Sequence, residues 1–498
     1  MMNYMDQLSP KEWQALLDEL MVDGQHFFQP KKAFDHQAYC DNVAVIKRKK
    51  MPKQGIGLPQ IMDDIRHNIL PGAIHQHHKN YIAFPDKGSL VAAQYATLLA
   101  ALTNQNLIAE DKSAPTGTYI EMLVIAWLRR LIGYKQDDVF PSNALVLGGA
   151  FVTGGVMANT IGLLGARQRA FPESKAKGMQ AIKKVPKIFV AGPTMNHYSH
   201  FGSSWWLGFG TENVVEVACT DKGNMDQADL KRRLELCLAN GEQPVAIIAL
   251  VGDSRTNTID DLPGLFKIAK QYNVWLHADA CHGGLLAFDD SFTHQGRHYL
   301  WYADSVTMDP HKHLGVPYAN SLILFKNLEE LAAIGSSTDI TIAYGGNDIG
   351  QITPFTGSRS FDALKLYAAI QQYGSEGIKR SIDKRKKITK TWHDLILASP
   401  VLTPLHEPEL FALAFSIRPD TLKPDELSFK NKQLHDQLQQ DGEVIVHTYS
   451  MCDYRNKLGY GRGTRIKALG SLFGSDNYTK KDLQDILKKI EDTYYQLF

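Results

Sequence analysis

Between residues 144 and 326 the chain repeats one pattern, a short apolar run followed by a stretch of helical periodicity. The runs are ALVLG at 144–148, KIFVA at 187–191, VVEVA at 214–218, VAIIALV at 245–251, NVWLHAD at 273–279, SVTMD at 305–309 and SLILF at 321–325. Most are apolar without strict alternation, which suits strands covered on both faces. Strand and helix in alternation predict an α/β domain on a mainly parallel, seven-stranded sheet.

The flanks differ from this core. Residues 10–25 and 36–70 read as helices, the first opened by Ser9 as N-cap and Pro10 at the first helical position. Thr118 to Gly133 is predicted as a helix, with Thr118 and Glu121 as a capping box and Ile120, Val124, Trp127, Leu128 and Leu131 on one face. Helical periodicity returns at 360–373 and 378–398. A last lobe mixes strands (LFALAFSI, EVIVHTYS) with a closing helix from Lys480 to Leu497. A chain of 498 residues exceeds one compact core. We divide it into an N-terminal helical segment (1–85), a large α/β domain (86–375) and a small C-terminal α+β domain (376–498).

Composition removes several function classes. Net charge is +1, so no broad field invites nucleic acid. The lysine runs at 47–50 and 384–387 read as solvated helix faces. No apolar run approaches the roughly 18 residues of a membrane span, and the acidic, amphipathic N-terminus does not resemble a secretory signal. Cys40, Cys219, Cys237, Cys281 and Cys452 are widely spaced, which argues against a disulfide framework or a zinc site and for a reducing cytoplasm. No metal is expected.

Ligands of open α/β sheets bind at the C-terminal ends of the strands, and several polar residues fall there. Thr153-Gly154-Gly155 follows the first run and opens a helix, where free N–H groups and the helix dipole favour a phosphate. His197 follows the second run and could lie flat on an aromatic cofactor. Asp279 ends the fifth run, where a carboxylate can pair with a pyridine nitrogen and keep it protonated. Lys312 follows the sixth run, between His311 and His313. A lysine there can have a lowered pKa and form a Schiff base. Taken singly, each has an ordinary structural explanation. Their order along the chain is the layout of a pyridoxal 5′-phosphate (PLP) site of fold type I.

The motifs resemble those of the group II PLP-dependent amino acid decarboxylases, which include the glutamate, aromatic amino acid, histidine and 2,4-diaminobutyrate enzymes. DPHKHLGV carries the His-Lys pair. HADACHGG resembles H-x-D-A-A-x-G-G, TGGVMAN resembles T-S-G-G-T-E-A-N, NHYS resembles A-H-Y-S, and TGSRSFDALKLY resembles the G-S-R and A-L-K-L-W stretch. The resemblance implies decarboxylation of an L-amino acid to its amine and carbon dioxide through a Lys312 Schiff base. Asp279 would pair with the ring nitrogen, His197 would stack on the ring, and Gly154 and Gly155 would offer N–H groups to the phosphate. Ser254 would approach the ring hydroxyl, and His311 would sit beside the phosphate or position Lys312. The resemblance also implies a homodimer with its active site at the interface, and substrate contacts from Tyr81 to Pro85 and from Asn104 to Asn106.

Within 335–357, a stretch rich in Gly, Ser and Thr, Tyr344 is the sole tyrosine and the candidate proton donor of a mobile lid. The chain departs from the family pattern at Asp253 (a threonine in the family), which places an extra acid near the cofactor. It departs also at Asn257 (a glycine), at Gly202 (a lysine), and at Val156 and Met157, which remove a side-chain phosphate contact. Two alternatives stay open on sequence: a carbon–carbon lyase of the sphingosine-phosphate lyase type, and a catalytically silent relative that serves as a binding protein.

Overall fold

The computed structural model describes residues 5–86, 88–134, 140–335 and 347–498. Seven strands form the central sheet: β1 (Gly149–Val152), β2 (Pro186–Ala191), β3 (Val214–Val217), β4 (Gln243–Leu250), β5 (Trp275–Ala280), β6 (Ser305–Met308) and β7 (Ser321–Phe325). Their order is β1-β7-β6-β5-β4-β2-β3. Only β7 is reversed, pairing antiparallel with both β1 and β6. Every residue of β1, β5, β6 and β7 is buried, so these strands carry no polar-facing side. The expected mainly parallel sheet is therefore present, with one reversed strand near its edge.

Two expectations need correction. ALVLG is not the first strand: Ala144–Val146 is a 3₁₀ turn, and β1 begins at Gly149. Gly148, at φ 64°, turns the chain just before it. Buried Arg129 holds this turn, donating to the carbonyls of Gly148 (2.9 Å), Lys326 (3.2 Å) and Phe325. The apolar run is thus spent on a packed turn, and the strand lies five residues later.

The helix predicted from Thr118 starts three residues earlier, at Pro115, and runs to Leu131. Pro115 at the first position begins it, so Thr118 lies inside and its hydroxyl donates to the Ala114 carbonyl at 2.8 Å. Glu121 is fully buried rather than capping. It accepts the Phe151 amide of β1 at 3.1 Å and pairs with Arg359 of the GSR stretch. Gly133 takes the left-handed conformation expected after the helix, at φ 79°.

The N-terminal region holds α1 (Pro10–Phe28), α2 (His36–Arg48) and α3 (Leu58–Asn68). Ser9 caps α1 and Pro10 opens it, as the sequence predicts, and Glu12 completes a reciprocal capping box with Ser9. After the sheet domain comes one long helix, α4 (Ala363–Ala398), broken at Gly374 by φ 61° and ψ 173°. Beyond it, β8 (Leu402–Pro404), β9 (Ala412–Ile417), β10 (His447–Asp453) and β11 (Thr464–Leu472) form an antiparallel sheet in the order β8-β9-β11-β10. Two helices, α5 (Pro424–Asp441) and α6 (Lys480–Leu497), accompany it. Trp392, Phe415 and Phe473 anchor the core of this small C-terminal domain.

One further helix positions the site. α7 (Gly155–Ala170, placed in the chain between β1 and β2) packs on the sheet through small residues. A β-carbon at Gly162 would lie 2.6 Å from the His277 ring, and one at Gly165 would lie 2.8 Å from Phe325. Only glycine lets the helix come this close, and the approach aims its N-terminus at the C-terminal edge of the sheet.

Candidate active site

The C-terminal ends of β1, β2, β4, β5 and β6 converge on one cavity of about 310 Å³. Thr153, Gly154 and Gly155 line it after β1, His197 after β2, Asp253 and Ser254 after β4, Asp279 at the end of β5, and Asp309, His311 and Lys312 after β6. All seven sequence-predicted site residues within the described part of the chain are therefore brought together. Tyr344 lies outside the described residues. The stretches Tyr81 to Pro85 and Asn104 to Asn106 do not line this cavity; Phe84 packs instead against His447, rings tilted and centroids 4.6 Å apart.

Asp279 is buried, and three donors hold its carboxylate. Asn159 Nδ2 donates at 2.8 Å and His200 Nε2 at 2.9 Å, both to Oδ2, while the Cys281 amide donates to Oδ1 at 3.2 Å. Burial by itself would raise this pKa, but the His200 hydrogen bond, with the other donors, carries it well below the usual carboxylate range. The His200 tautomer follows from its neighbours. Its Nδ1 accepts the His197 amide at 3.2 Å, so its proton is on Nε2 and points at Asp279.

A relay of fixed dipoles stands behind Asn159. Its Oδ1 lies 3.0 Å from His277 Nε2; His277 Nδ1 lies 2.8 Å from Ser305 Oγ, which accepts from Trp275 Nε1 at 2.9 Å. Since Asn159 gives its amide hydrogen to Asp279, its oxygen must accept, and His277 donates from Nε2. Sequence reading missed Asn159, His200 and His277 as site residues. The available signals were the AN ending of TGGVMAN, the second histidine of NHYSH, and the histidine two positions before Asp279 in HADACHGG.

Lys312 follows β6 in a short helical turn, and its Nζ lies 3.0 Å from Asp309 Oδ2. This reverses the expected lowered pKa. Burial pushes the ammonium down most, but the Asp309 charge and hydrogen bond, with Cys281 and Asp279, together raise the pKa. His197 caps the following helix, its Nδ1 accepting the Ser199 amide at 3.3 Å, so the neutral ring carries its proton on Nε2. Burial pushes His197 down to about 4. His311 lines the cavity with Nδ1 2.7 Å from the Asn320 carbonyl and its ring against Tyr318, centroids 4.6 Å apart.

The departures from the family pattern gain physical explanations. Asp253 is not an uncommitted acid beside the cofactor. It accepts from the amides of Arg255 (2.8 Å), Thr256 (3.1 Å) and Thr258 (2.8 Å), and so holds its own turn. Asn257 sits at φ 54°, the left-handed region that glycine or asparagine tolerates. Its side chain donates to the Asp253 carbonyl at 2.8 Å and accepts the Phe411 amide at 3.3 Å.

Residues 42–418 match the model of the pyridoxal-dependent decarboxylase conserved domain. The chain belongs to this family. It is 24% identical over 453 residues to the L-2,4-diaminobutyrate decarboxylase of Acinetobacter baumannii, covering 88% of this chain and 85% of that protein. Among solved structures it is similar to mouse CSAD (TM-score 0.85, 21% identity, 98% of this chain and 99% of that one). It is also similar to the glutamate decarboxylase domain of a diaminobutyrate-pyruvate transaminase and L-2,4-diaminobutyrate decarboxylase from Vibrio parahaemolyticus (TM-score 0.82, 21% identity, 99% and 97%). These structures share the PLP fold type I architecture. The cofactor of the family is pyridoxal phosphate and its reaction is the decarboxylation of amino acids, which makes this decarboxylase a carboxy-lyase. Nothing favours the carbon–carbon lyase or the silent binding protein. No helix among the described residues is long and apolar enough to cross a membrane.

The cavity of the decarboxylase fits that cofactor. An ionised, buried acid, Asp279, and the amino group of Lys312 both line it. The wall at Gly154 is open, with no atom within 4 Å of where a β-carbon would sit, beside the N-terminus of α7. Such a helix start offers unpaired N–H groups and a positive dipole end to a phosphate.

Proposed function

We propose that this chain converts an L-amino acid to its amine and carbon dioxide, with Lys312 holding the cofactor through Nζ. When bound, pyridoxal 5′-phosphate supplies the electron sink for the pair released with carbon dioxide. The observation that carries the reading is the Asp279 carboxylate, kept ionised by His200 and Asn159 in the same cavity as the Lys312 amine. In this reading Asp279 holds the proton of the ring nitrogen. Gly154 and Gly155 present backbone N–H groups to the phosphate, and Ser254 lies near the ring hydroxyl. His197 covers one face with a neutral imidazole, and His311 helps to position Lys312. Tyr344 delivers a proton to the α-carbon after carbon dioxide leaves.

We assign the chain segments 1–85, 86–375 and 376–498 as helical extension, cofactor domain and small domain. The break in α4 at Gly374 supports the second boundary. A homodimer with its site at the interface is part of the proposal. Its support is that α1 and α3 bury no residue, while Leu20, Met21, Ile61 and Ile65 are exposed. The five free cysteines are consistent with a cytoplasmic location.

The test is a screen of the common L-amino acids for carbon dioxide release with added PLP, run with wild type and Lys312→Ala. Wild type should release carbon dioxide from at least one substrate. Lys312→Ala should lose both activity and borohydride-trappable cofactor. Cofactor trapped at another lysine in that variant would refute the assignment.

A further inference from the structure

Beside the Lys312 turn, sharing Cys281, His282 and Asp309 with the main cavity, lies a second, small chamber. It has about 10 Å³ of room for the centre of a water molecule, close to the minimum that one buried water needs. Cys281, His282, Asp309 and His313 line it, among apolar neighbours such as Leu285 and Met308. Two buried polar atoms of these lining residues, Asp309 Oδ1 and His313 Nδ1, find no hydrogen-bond partner among the described residues. Both residues are at most 5% exposed. A carboxylate oxygen and an imidazole nitrogen left bare at such depth would each lose their hydration without compensation.

We propose that this chamber is a built site for one structural water, which joins Asp309 Oδ1 to His313 Nδ1, and that His313 is thereby a positioning residue for the Lys312–Asp309 pair. The water gives one hydrogen to Asp309 Oδ1, because an ionised carboxylate only accepts. The other carboxylate oxygen, Oδ2, is already committed to Lys312 Nζ at 3.0 Å. His313 is itself fixed on three sides. Its Nε2 lies 3.3 Å from His282 Nδ1, its carbonyl accepts Arg385 Nη1 at 2.9 Å, and its ring packs on Phe411 at 5.1 Å between centroids. Burial, with His282, Arg385 and Lys312 nearby, drives His313 well below its ordinary pKa, so it meets the water as a neutral ring. The charged and titratable groups around the pair are Asp279, Cys281, His311 and Asp86, with Arg385 behind His313.

The consequence concerns how firmly Lys312 holds its proton. A hydrogen bond to a charged group contributes about 1.5–3 kcal/mol. Losing it frees the Asp309 carboxylate to turn from Nζ and weakens the charge that helps keep Lys312 protonated, so the free-amine fraction of Lys312 rises by about tenfold. The water thus sets how much of Lys312 is a free amine. This idea rests on Lys312 as the reactive amine only for its meaning, since both of its tests can be made without turnover.

A crystal structure of the full chain with PLP bound should show one water within hydrogen-bond reach of Asp309 Oδ1 and His313 Nδ1. A dry chamber overturns the proposal. The second measurement is the rate of reductive methylation of Lys312 by formaldehyde and cyanoborohydride at pH 7, read by peptide mass on the cofactor-stripped full chain. His313→Leu should speed it about tenfold. His313→Asn, whose side-chain amide reaches the place of Nδ1, should return it to within about twofold of wild type. An unchanged rate in His313→Leu overturns the proposal, and so does a His313→Asn rate equal to that of His313→Leu. If the leucine variant fails to fold, the asparagine variant must still match wild type and the water must still be seen. A screen without carbon dioxide release would defeat the proposed function and leave this site standing; a dry chamber would do the reverse.

Discussion

Gly154 and Gly155 are neighbours, yet adding one methyl group to each should do opposite things. A β-carbon at Gly155 would lie 2.5 Å from Asp309 Oδ2 and 2.5 Å from Cys281 Sγ. Contacts that short force movement, and both neighbours are buried and committed, Asp309 to Lys312 and Cys281 through its amide to Asp279. Overpacking of this kind costs about 1–3 kcal/mol. The helix propensity of alanine recovers at most about 1 kcal/mol, and less at a first helical position. Gly155→Ala should therefore lose about 1–2 kcal/mol in the cofactor-free protein, a melting shift of a few degrees. At Gly154, φ is 175°, extended backbone open to any residue, and no atom lies within 4 Å of the new carbon. Gly154→Ala should melt with wild type in the absence of cofactor, but its methyl group projects into the wall assigned to the phosphate. Its PLP affinity, measured by fluorescence titration, should fall about tenfold or more, equivalent to roughly 1.4 kcal/mol. Equal melting of Gly155→Ala and wild type would refute the packing argument. Unchanged PLP affinity in Gly154→Ala would refute the phosphate assignment.

Asp279→Asn removes the counter-charge proposed for the ring nitrogen and should lower turnover by at least about 100-fold, since one or two pKa units of ring protonation are at stake; near-normal carbon dioxide release would place the acid elsewhere. His277 is held at about 4 by burial, below its ordinary 6.5, so the stability it contributes is complete above pH 6.5 and is lost as pH falls toward 4. The excess urea midpoint of wild type over His277→Gln should shrink across that window, by up to about 3 kcal/mol of stability. Asp260, raised to about 7 by burial, titrates with the opposite sign but is common to both proteins and cancels in the difference. A difference independent of pH would mean that His277 is not neutral when folded. Tyr344→Phe should bind PLP normally and turn over about 10²–10⁴-fold more slowly, the worth of one general acid; a wild-type rate would remove Tyr344 from the mechanism.

Much of this protein is local information and was legible as such. The apolar runs mark six of the seven strands to within a few residues, because strands buried on both faces need continuous hydrophobic sequence. Lys312, Asp279, His197 and the glycines stand at strand ends, where topology alone delivers them to one cavity. What only the tertiary structure decided are contacts between distant segments. Asn159 and His200 meet Asp279 across 120 and 79 residues, and no periodicity encodes that meeting. The first strand slipped because Arg129 gathers the carbonyls of Gly148 and Phe325 from two separate segments. Asp253 reads as an extra acid in sequence and becomes a turn clamp once the amides of Arg255, Thr256 and Thr258 close around it. The protonation of Lys312 shows the same division. Burial predicts a lowered pKa, and the balance turns the other way because the fold gathers Asp309, 3.0 Å from Nζ, with Cys281 and Asp279 around the ammonium.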